Sequence, residues 1–418
     1  MKESGIDWIG QVPEEWELGR VKDFYKFFTG FTPDTSRVEY YGDINDFVWV
    51  TIADMTSKKI ESSKQTLSDI FIKEKRPQVS RLGSLLYSFK LSVGKVAFAN
   101  TDLYTNEAIA TFEDGPNINL RFLYYSSYLI EFNSEINIYG AKLLNSERIS
   151  NASIIYPSYV EQQKIADFLD KKTAQLDKVK ALLEEQIQKL KDYRASLIYE
   201  TVTKGLDKTV PMKDSGIDWI GQVPEGWEVD FANHIFEEHK QKNKGNKEKN
   251  LLSLSYGRII RKSINSSFGL LPESFDTYNI IQRGDIVLRL TDLQNDKKSL
   301  RVGLARENGI ITSAYLTLRL KKIGCSDSYM YYLLHTYDIC KVFYNFGGGV
   351  RQGGTWSDIY KLELLIPPYN EQAKITDFLD KKIVQIDKLI KIKNHQIENI
   401  NKQRQTLIYD YVTGKRRV

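Results

Sequence analysis

An arginine and a glutamine lie between two runs of glycine in the second half of the chain. Residues 347–354 read GGGVRQGG, which places Arg351 and Gln352 inside the segment. Glycines let a backbone approach another surface closely, and Arg and Gln side chains pair with guanine and adenine edges in a DNA groove. The segment therefore predicts a contact with DNA bases. A surface turn capped by a charge is the alternative interpretation.

Other basic residues extend this candidate DNA-binding set to both halves of the chain. The net charge is +5, from 59 basic and 54 acidic residues, and this mild excess suits a polyanionic partner without requiring one. Lysines and arginines that neutralise phosphates gain affinity by releasing counterions. The further candidates are Lys58, Lys90, Lys95 and Lys142 in the first half and Arg258, Arg261, Arg289 and Lys297 in the second.

Segments that look catalytic are incomplete. Residues 366–369 read IPPY, which is similar to the Asn/Asp-Pro-Pro-Tyr motif of adenine N6-methyltransferases. The first side chain of that motif accepts a hydrogen bond from the exocyclic amine, and Ile366 cannot accept one. The four histidines have no zinc-like spacing with Cys325 and Cys340. We therefore expect no catalytic residue, metal site or cofactor in this chain.

A long internal repeat organises the sequence. Residues 1–18 and 212–229 are identical at 15 of 18 positions, and residues 161–178 closely match residues 371–388. A period of this length indicates duplicated domains rather than a solenoid of short repeats. The sequences between these blocks differ. We interpret the chain as two equal frames that hold two copies of one partner, with two inserts for two different recognition tasks.

Two segments have the heptad pattern of a coiled coil. In the first, Ile165, Val179 and Tyr193 lie four residues before a heptad leucine. The predicted coiled-coil and partner-binding positions are Leu169, Leu176, Leu183, Leu190 and Leu197 in the first segment and Leu379, Ile386, Leu389, Ile400 and Leu407 in the second. The polar interruptions of the second segment are Lys393, Gln396 and Gln403. The simplest pairing is one helix against the other, antiparallel.

The inserts read as mixed α/β, because short runs rich in Val, Ile, Phe, Tyr and Thr are bounded by Gly, Asn and Asp. We predict an α+β fold in which two mixed α/β recognition domains alternate with two long helices, paired as an antiparallel, pseudo-twofold coiled coil. The strand candidates are Asp46–Ile52, Ser84–Leu91, Lys95–Ala99, Asp285–Leu290, Arg301–Ala305 and Ala314–Leu320, and the helix candidates are Leu120–Asn133 and Asp327–Phe343. The predicted boundaries are 1–160 and 205–370 for the domains and 161–204 and 371–418 for the helices.

The repeated blocks resemble the specificity (S) subunits of type I restriction–modification systems. The likeness lies in SGIDWIGQVP near the start of each repeat, in the pattern Pro-x-x-x-Glu-Gln-x-Lys-Ile-x-x-Phe-Leu-Asp-Lys-Lys at 157–172 and 367–382, and in Leu-Ile-Tyr followed by Val-Thr at 197–203 and 407–413. These motifs occur in the same order in both halves, so the resemblance spans the whole chain.

The resemblance implies two target-recognition domains, each reading one half of a split double-stranded DNA target. It implies a coiled coil that sets the spacer and docks two methyltransferase subunits, with up to two restriction (nuclease and translocase) subunits as further partners. S-adenosylmethionine and ATP with Mg²⁺ would act in those partners. The polar opening of the chain, its two cysteines and the lack of a long apolar run predict a cytoplasmic protein that does not enter a membrane.

Two other functions stay open at this point. A single-chain DNA methyltransferase or nuclease would combine recognition with catalysis, although about 140 residues per insert is small for a methyltransferase domain. A two-headed adaptor would bind proteins instead of DNA. Catalysis by the isolated chain would favour the enzyme, and salt-dependent binding to duplex DNA would argue against the adaptor.

Overall fold

The chain forms two compact units in the computed structural model. The structure describes residues 1–418 except 44–45, 91, 133, 137–141, 264–273, 294–299 and 347–352. Unit 1 comprises Met1–Leu182 and His395–Val418, and unit 2 comprises Leu183–Asn394. Each unit therefore contains one insert together with a part of each long helix.

Unit 1 is a mixed α/β structure. Its strands are β1 (Lys2–Glu3), β2 (Gln11–Val12), β3 (Glu17–Arg20), β4 (Phe27–Thr29), β5 (Phe47–Val50), β6 (Lys59–Ile60), β7 (Gln65–Leu67), β8 (Leu85–Ser88), β9 (Val96–Ala99), β10 (Tyr104–Thr105), β11 (Ile109–Phe112), β12 (Glu135–Ile136), β13 (Lys142–Leu143) and β14 (Ser153–Tyr156). Its helices are α1 (Val21–Phe24), α2 (Asp69–Lys75), α3 (Leu120–Ser126), α4 (Tyr128–Glu131), α5 (Ser146–Asn151) and the first part of α6 (Tyr159–Lys204), with a 3₁₀ helix at Val38–Tyr40.

Unit 2 repeats this plan. Its strands are β15 (Met212–Asp214), β16 (Gln222–Pro224), β17 (Glu228–Phe231), β18 (Phe236–Glu238), β19 (Leu252–Ser255), β20 (Arg258–Arg261), β21 (Asn279–Ile281), β22 (Ile286–Leu288), β23 (Val302–Leu304), β24 (Gly309–Ile311), β25 (Leu316–Leu320) and β26 (Glu363–Ile366). Its helices are α7 (Ala232–Ile235), α8 (Asp327–Ile339), α9 (Trp356–Ile359) and the first part of α10 (Tyr369–Val412), with a 3₁₀ helix at Val342–Asn345.

The central strands have the same order in both units. The sheet of unit 1 runs β4-β11-β8-β9-β6, and that of unit 2 runs β18-β25-β22-β23. In each unit an antiparallel pair, β3 with β14 or β17 with β26, joins the two ends of the insert. The inserts are thus one fold used twice, and the predicted α+β fold class is confirmed.

The two predicted insert helices are shorter than the sequence indicated. The segment Leu120–Asn133 divides at Ser127 into α3 and α4. In unit 2, α8 ends at Ile339, because Lys341 adopts a left-handed backbone conformation with φ of +63°, which a continuing helix cannot accommodate. Both helices begin with a side-chain cap, from Asn119 and from Ser326.

The long helices run antiparallel within each unit. In unit 1 the rings of Phe168 and Tyr411 lie 4.4 Å apart, and Arg404 Nε lies 3.7 Å from Asp177 Oδ1. Residue numbers therefore fall along one helix as they rise along the other. With 46 and 44 residues, each helix is about 65–70 Å long at the usual rise per residue.

Unit 2 contains the same arrangement of the other two helix halves. Arg194 Nη1 lies 2.9 Å from Asp387 Oδ1, and Lys393 Nζ donates to Gln186 Oε1 at 2.5 Å. The Arg194–Asp387 pair of unit 2 corresponds to the Arg404–Asp177 pair of unit 1, because Asp177 and Asp387 occupy the same position in the repeat.

Some of the residues predicted to pack between the two long helices, in the helix–helix seam, lie elsewhere. Val179, Tyr193 and Leu389 are 46%, 53% and 47% exposed, so they lie outside the helix–helix seam, and their predicted place in it is wrong. Ile165, also predicted four residues before a heptad leucine, is buried at 2% exposure. In the middle of the first helix the buried position follows the heptad residue by four, as Ile187 does after Leu183. Both spacings satisfy a heptad pattern, which is why the sequence did not distinguish them.

The three polar residues of the second heptad segment differ in where they lie. Lys393 lies in the seam, where it is half-buried and bound to Gln186. Gln396 and Gln403 are exposed and do not interrupt the seam. The second helix therefore has one polar seam residue among these three, and that residue has a hydrogen-bond partner.

A buried histidine makes the stability of unit 2 depend on pH. His335 on α8 is 6% exposed, and its burial, followed by the charge of Arg194, lowers its pKa to about 4. In the unfolded chain His335 is protonated as the pH falls below about 6.5, whereas in the folded chain it stays neutral until the pH approaches 4. Stability is therefore full above pH 6.5 and falls as the pH drops towards 4.

We expect this effect to reach about 3 kcal/mol of unfolding free energy at the acid end of that window. The measurement is the difference in melting temperature between the wild-type chain and a His335→Gln variant, followed from pH 7.5 to 5. The difference should shrink or change sign as the pH falls. A difference that stays constant would show that His335 does not titrate in this window.

Candidate nucleic-acid interface

Some of the candidate DNA contacts lie in one hairpin connection of each unit. In unit 1, Lys90 and Lys95 lie in the connection between β8 and β9, and Lys90 is exposed. In unit 2, Arg289 and Lys297 lie in the connection between β22 and β23. The two hairpins occupy the same place in the two sheets, and the sequences of both connections contain basic residues.

Part of this set lies outside the described residues. Lys297, Arg351 and Gln352 are among the positions 294–299 and 347–352, so their DNA contacts stay predictions from sequence. The described residue Gly354 follows the second of these segments. Its backbone N–H donates to Leu290 O at 2.7 Å, which links the end of the glycine-rich segment to the β22–β23 connection.

Two other candidates are bound to the long helices. Lys58 Nζ lies 2.7 Å from Asp170 Oδ1 on α6. Arg258, which follows the β19–β20 turn, forms an ion pair with Asp387 on α10. These contacts favour a role in seating each recognition domain on its helix, and a DNA contact by either residue stays a prediction.

Three other described candidates bind within their own domains, two through ion pairs and Lys95 through a backbone carbonyl. Arg261 Nε contacts both carboxylate oxygens of Glu307 at 2.8 and 2.7 Å, and Lys142 pairs with Glu131. Lys95 Nζ donates to the carbonyl oxygen of Ile52 at 3.2 Å. Exposed ion pairs are weak, so DNA phosphates can compete for these side chains.

Asp170 is the centre of the domain–helix contact in unit 1. Its carboxylate accepts hydrogen bonds from Lys58, from Tyr125 Oη at 2.5 Å and from Arg121 Nε at 2.8 Å. Burial raises the pKa of this carboxyl, but the hydrogen bonds outweigh burial and hold the pKa below its usual value. In unit 2 the equivalent Asp380 accepts from Tyr332. A tyrosine–aspartate bond thus joins domain to helix in both units.

The predicted coiled-coil positions differ in burial. Leu169, Leu379 and Ile386 are buried, and Leu389 is exposed. The half-buried positions are Leu176, Leu183, Leu190, Leu197, Ile400 and Leu407. Which of these contact a partner subunit stays a prediction.

Sequence reasoning missed the residues that join the repeated blocks to each other. Trp16 Nε1 donates to Glu161 Oε2 at 2.9 Å, and Trp227 Nε1 donates to Glu371 Oε2 at 3.0 Å. Both pairs connect the first repeated block with the second. The signal was present in the sequence, since the Trp and the Glu recur together in both halves.

The described residues hold no group of three or more His, Cys, Asp or Glu side chains placed to bind a metal ion. In the same part of the chain, no helix is long and apolar enough to cross a membrane. The site consists instead of basic side chains on surface hairpins above a rigid sheet, which suits phosphate and base contacts.

Comparisons with known proteins agree on one family. A family model described as type I restriction modification DNA specificity domain matches residues 13–191. The specificity subunit of the type I restriction enzyme MjaIX of Methanocaldococcus jannaschii is 24% identical over 98% of this chain and 95% of its own length. The EcoBI specificity subunit of Escherichia coli is 32% identical over 123 residues, which cover 28% of this chain and 26% of its own length.

Residues 13–191 thus belong to the family of type I restriction modification DNA specificity domains, and similarity to specificity subunits extends over 98% of the chain. Solved structures agree with this assignment at the level of the fold. A chain from a study of assembly and conformational transition in the type I R-M system matches with a TM-score of 0.69 and 16% identity, over 97% of this chain and all of that one. The HsdS subunit from Thermoanaerobacter tengcongensis matches with a TM-score of 0.50 and 16% identity over 97% and 98%.

This similarity favours one of the functions left open by the sequence. The chain is a DNA-recognition subunit and is not the catalytic component of its system. The single-chain methyltransferase or nuclease is not favoured. Which of the candidate residues contact DNA stays a prediction.

We expect Asp170→Asn to destabilise unit 1. The substitution leaves Lys58 and Arg121 without their shared carboxylate, and at 28% side-chain exposure the cost should be about 1–3 kcal/mol of unfolding free energy. Asp177→Asn on the same helix is the matched control. Its carboxylate is 61% exposed and 3.7 Å from Arg404, so its cost should stay below about 1 kcal/mol. Equal losses in urea titrations would contradict the role of Asp170.

Proposed function

We propose that this specificity subunit reads a split DNA target, one half through each insert, and docks two methyltransferase subunits on exposed faces of its long helices. S-adenosylmethionine would act in the methyltransferases, and ATP with Mg²⁺ in restriction subunits where these join the complex. The proposal rests on one observation. The repeated blocks of the two halves are nearly identical in sequence, whereas their two hairpin connections differ.

The split target is supported by the two recognition domains. Their sheets have the same strand order, but the connection from β22 to β23 is longer than that from β8 to β9 and carries different basic residues. Equal scaffolds with unequal connections suit two different base sequences, because base identity is read by side chains at the groove and not by the scaffold.

Mapping methylated adenines in DNA from a host that expresses the complex tests this function. The expected motif has two defined halves separated by an unspecified spacer. Exchange of residues 230–370 for the insert of another specificity subunit should change one half and preserve the other with the spacer. A continuous motif, or a swap that changes both halves, would contradict it, and methylation by the isolated chain would revive the single-chain enzyme.

The docking faces are supported by apolar residues that both helices expose. Val179 and Leu182 on α6 and Leu389 and Ile392 on α10 are each 46–48% exposed. The first pair occupies the same repeat positions as the second. Exposed apolar residues that recur together mark an interaction surface. A surface present twice binds two copies of one partner.

The glutamines that flank these apolar pairs are also repeated. Gln175 corresponds to Gln385, and Gln186 to Gln396. A small apolar centre with a polar rim is the usual anatomy of a protein–protein interface. An amphipathic helix of the methyltransferase would fit such a face, because it can present its own apolar stripe at the same spacing.

We expect Leu182→Glu and Ile392→Glu each to remove one methyltransferase subunit from the complex, and the double variant to remove both. Both side chains are about half-exposed, so folding stability should change by less than about 1 kcal/mol. Native mass spectrometry counts the subunits. Ala181→Glu is the matched control, since Ala181 is exposed on a different side of the same helix. Complexes that keep two subunits in all variants would place docking elsewhere.

A further inference from the structure

A fully buried arginine closes the open end of the β22–β23 hairpin in unit 2. Arg301 has no exposed surface and is among the largest fully buried side chains of the chain. Its backbone carbonyl accepts from Arg289 N at 2.9 Å, so it stands directly opposite a candidate DNA contact. Burying a charge is costly unless it is well hydrogen-bonded, which makes the partners of this guanidinium informative.

The guanidinium donates to the backbone of the turn that follows β22. Nη1 donates to Arg289 O at 3.0 Å and to Thr291 O at 2.7 Å, and Nη2 donates to Asp292 O at 3.3 Å. Asp292 adopts a left-handed conformation with φ of +58°, which is unfavourable for a residue other than glycine. Hydrogen bonds to the neighbouring carbonyls hold the backbone in this conformation.

The same side chain reaches a second segment. Arg301 Nε donates to Tyr344 Oη at 3.1 Å, and the guanidinium carbon lies 5.3 Å from the centre of the Tyr344 ring. Tyr344 precedes the glycine-rich segment in sequence, and Gly354 after that segment donates to Leu290 O. Arg301 therefore ties the turn after β22 to Tyr344 in the 3₁₀ helix Val342–Asn345.

A buried carboxylate binds the backbone N–H of Arg301. Asp338 on α8 is 1% exposed, and its Oδ2 accepts the backbone N–H of Arg301 at 2.5 Å. The arginine is thus held by a helix of the domain core, while its side chain holds two surface segments. This places Arg301 between the rigid part of the domain and its candidate DNA-reading edge.

The first domain has a different residue at this place. The strand registers place Lys95 at the position of Arg301, because Ser88 N donates to Lys95 O as Arg289 N donates to Arg301 O. Lys95 is exposed, and the connection from β8 to β9 is shorter. There, Ser88 Oγ accepts from Lys95 N at 3.0 Å and closes the connection without a buried cation. Arg301 thus belongs to the part in which the inserts differ, not to the repeated frame.

We propose that Arg301 is a positioning residue for base specificity in the second recognition domain. It would set the position of the Arg289–Asp292 turn relative to Tyr344, and so decide which bases the side chains of that turn meet. The inference rests on the proposed reading of a split target, one half per domain. Arg301 itself is buried and would not touch DNA.

The test compares Arg301→Lys and Arg301→Met in the complete methyltransferase complex. Lysine keeps the charge but not the planar fork of donors, and methionine keeps only the apolar stem. Binding is measured to the wild-type target and to duplexes with single-base changes in each half. For Arg301→Met, discrimination in one half should fall about tenfold or more, the scale of one lost base contact, with the other half unchanged. Arg301→Lys should fall between methionine and wild type.

Arg319→Met is the matched control. Arg319 on β25 pairs with Asp285 through Nε and Nη2 at 2.8 and 2.7 Å, so its loss also removes a partly buried arginine from this domain. It should weaken the domain without changing discrimination. If Arg301→Met fails to fold, Tyr344→Phe, which removes one acceptor of the guanidinium, gives the same test with a smaller expected change.

Each outcome of these measurements either supports or contradicts the positioning role of Arg301. The half affected by Arg301→Met should be the half that changes when residues 230–370 are exchanged. Equal loss of discrimination in both halves, or the same profile as Arg319→Met, would overturn the inference and leave Arg301 a structural residue only. Failure of the proposed function would appear earlier, as a wild-type complex without a split target.

Discussion

A hydrogen bond between a tryptophan and a glutamate holds each frame together. Trp16 and Trp227 are 1% exposed, and a buried indole N–H needs an acceptor. Glu161 and Glu371 provide it from the first turn of each long helix, where a negative charge is also favoured by the helix dipole. This bond ties the start of each repeat to the start of a helix that follows about 145 residues later. A change at either position would loosen the attachment of the insert between them, which explains why the two blocks recur together.

A buried glutamine extends each frame to the recognition domain. Gln162 and Gln372 have no exposed surface. Each donates to the carbonyl of a preceding proline and accepts a backbone N–H at the start of the insert helix, from Asn119 in unit 1 and Ser326 in unit 2. A buried amide with unmatched groups would be costly, so the helix start, the proline turn and the domain are fixed as a set. The frame therefore dictates where any insert must begin its helix.

The sequence was sufficient for the features that its own repeats and periodic patterns display. Heptads, strand runs and the duplicated blocks predicted two long helices and one fold used twice. It was insufficient where the partner lies far away in sequence. Lys58 was expected to be a DNA contact, yet its carboxylate partner Asp170 is 112 residues away, and nothing local indicates the pair. The choice of Ile187 over Val179 as a seam residue depends on how the second helix approaches, and Arg301 looked like an ordinary strand residue.

The contacts that seat the domains suggest how such a chain can change its inserts. On the helix side, the carboxylates Asp170 and Asp380 are part of the repeat. On the insert side, each meets a tyrosine, Tyr125 or Tyr332, while the cations around them differ between the units. Besides the helix start that the glutamine fixes, an insert thus meets this carboxylate with a tyrosine in both units. Its hairpin connections are free to differ, because the sheet beneath them and the frame around them satisfy their own hydrogen bonds. The residues that seat the domains are thus distinct from those proposed to read bases, and in the proposal Arg301 links the domain core to that reading turn.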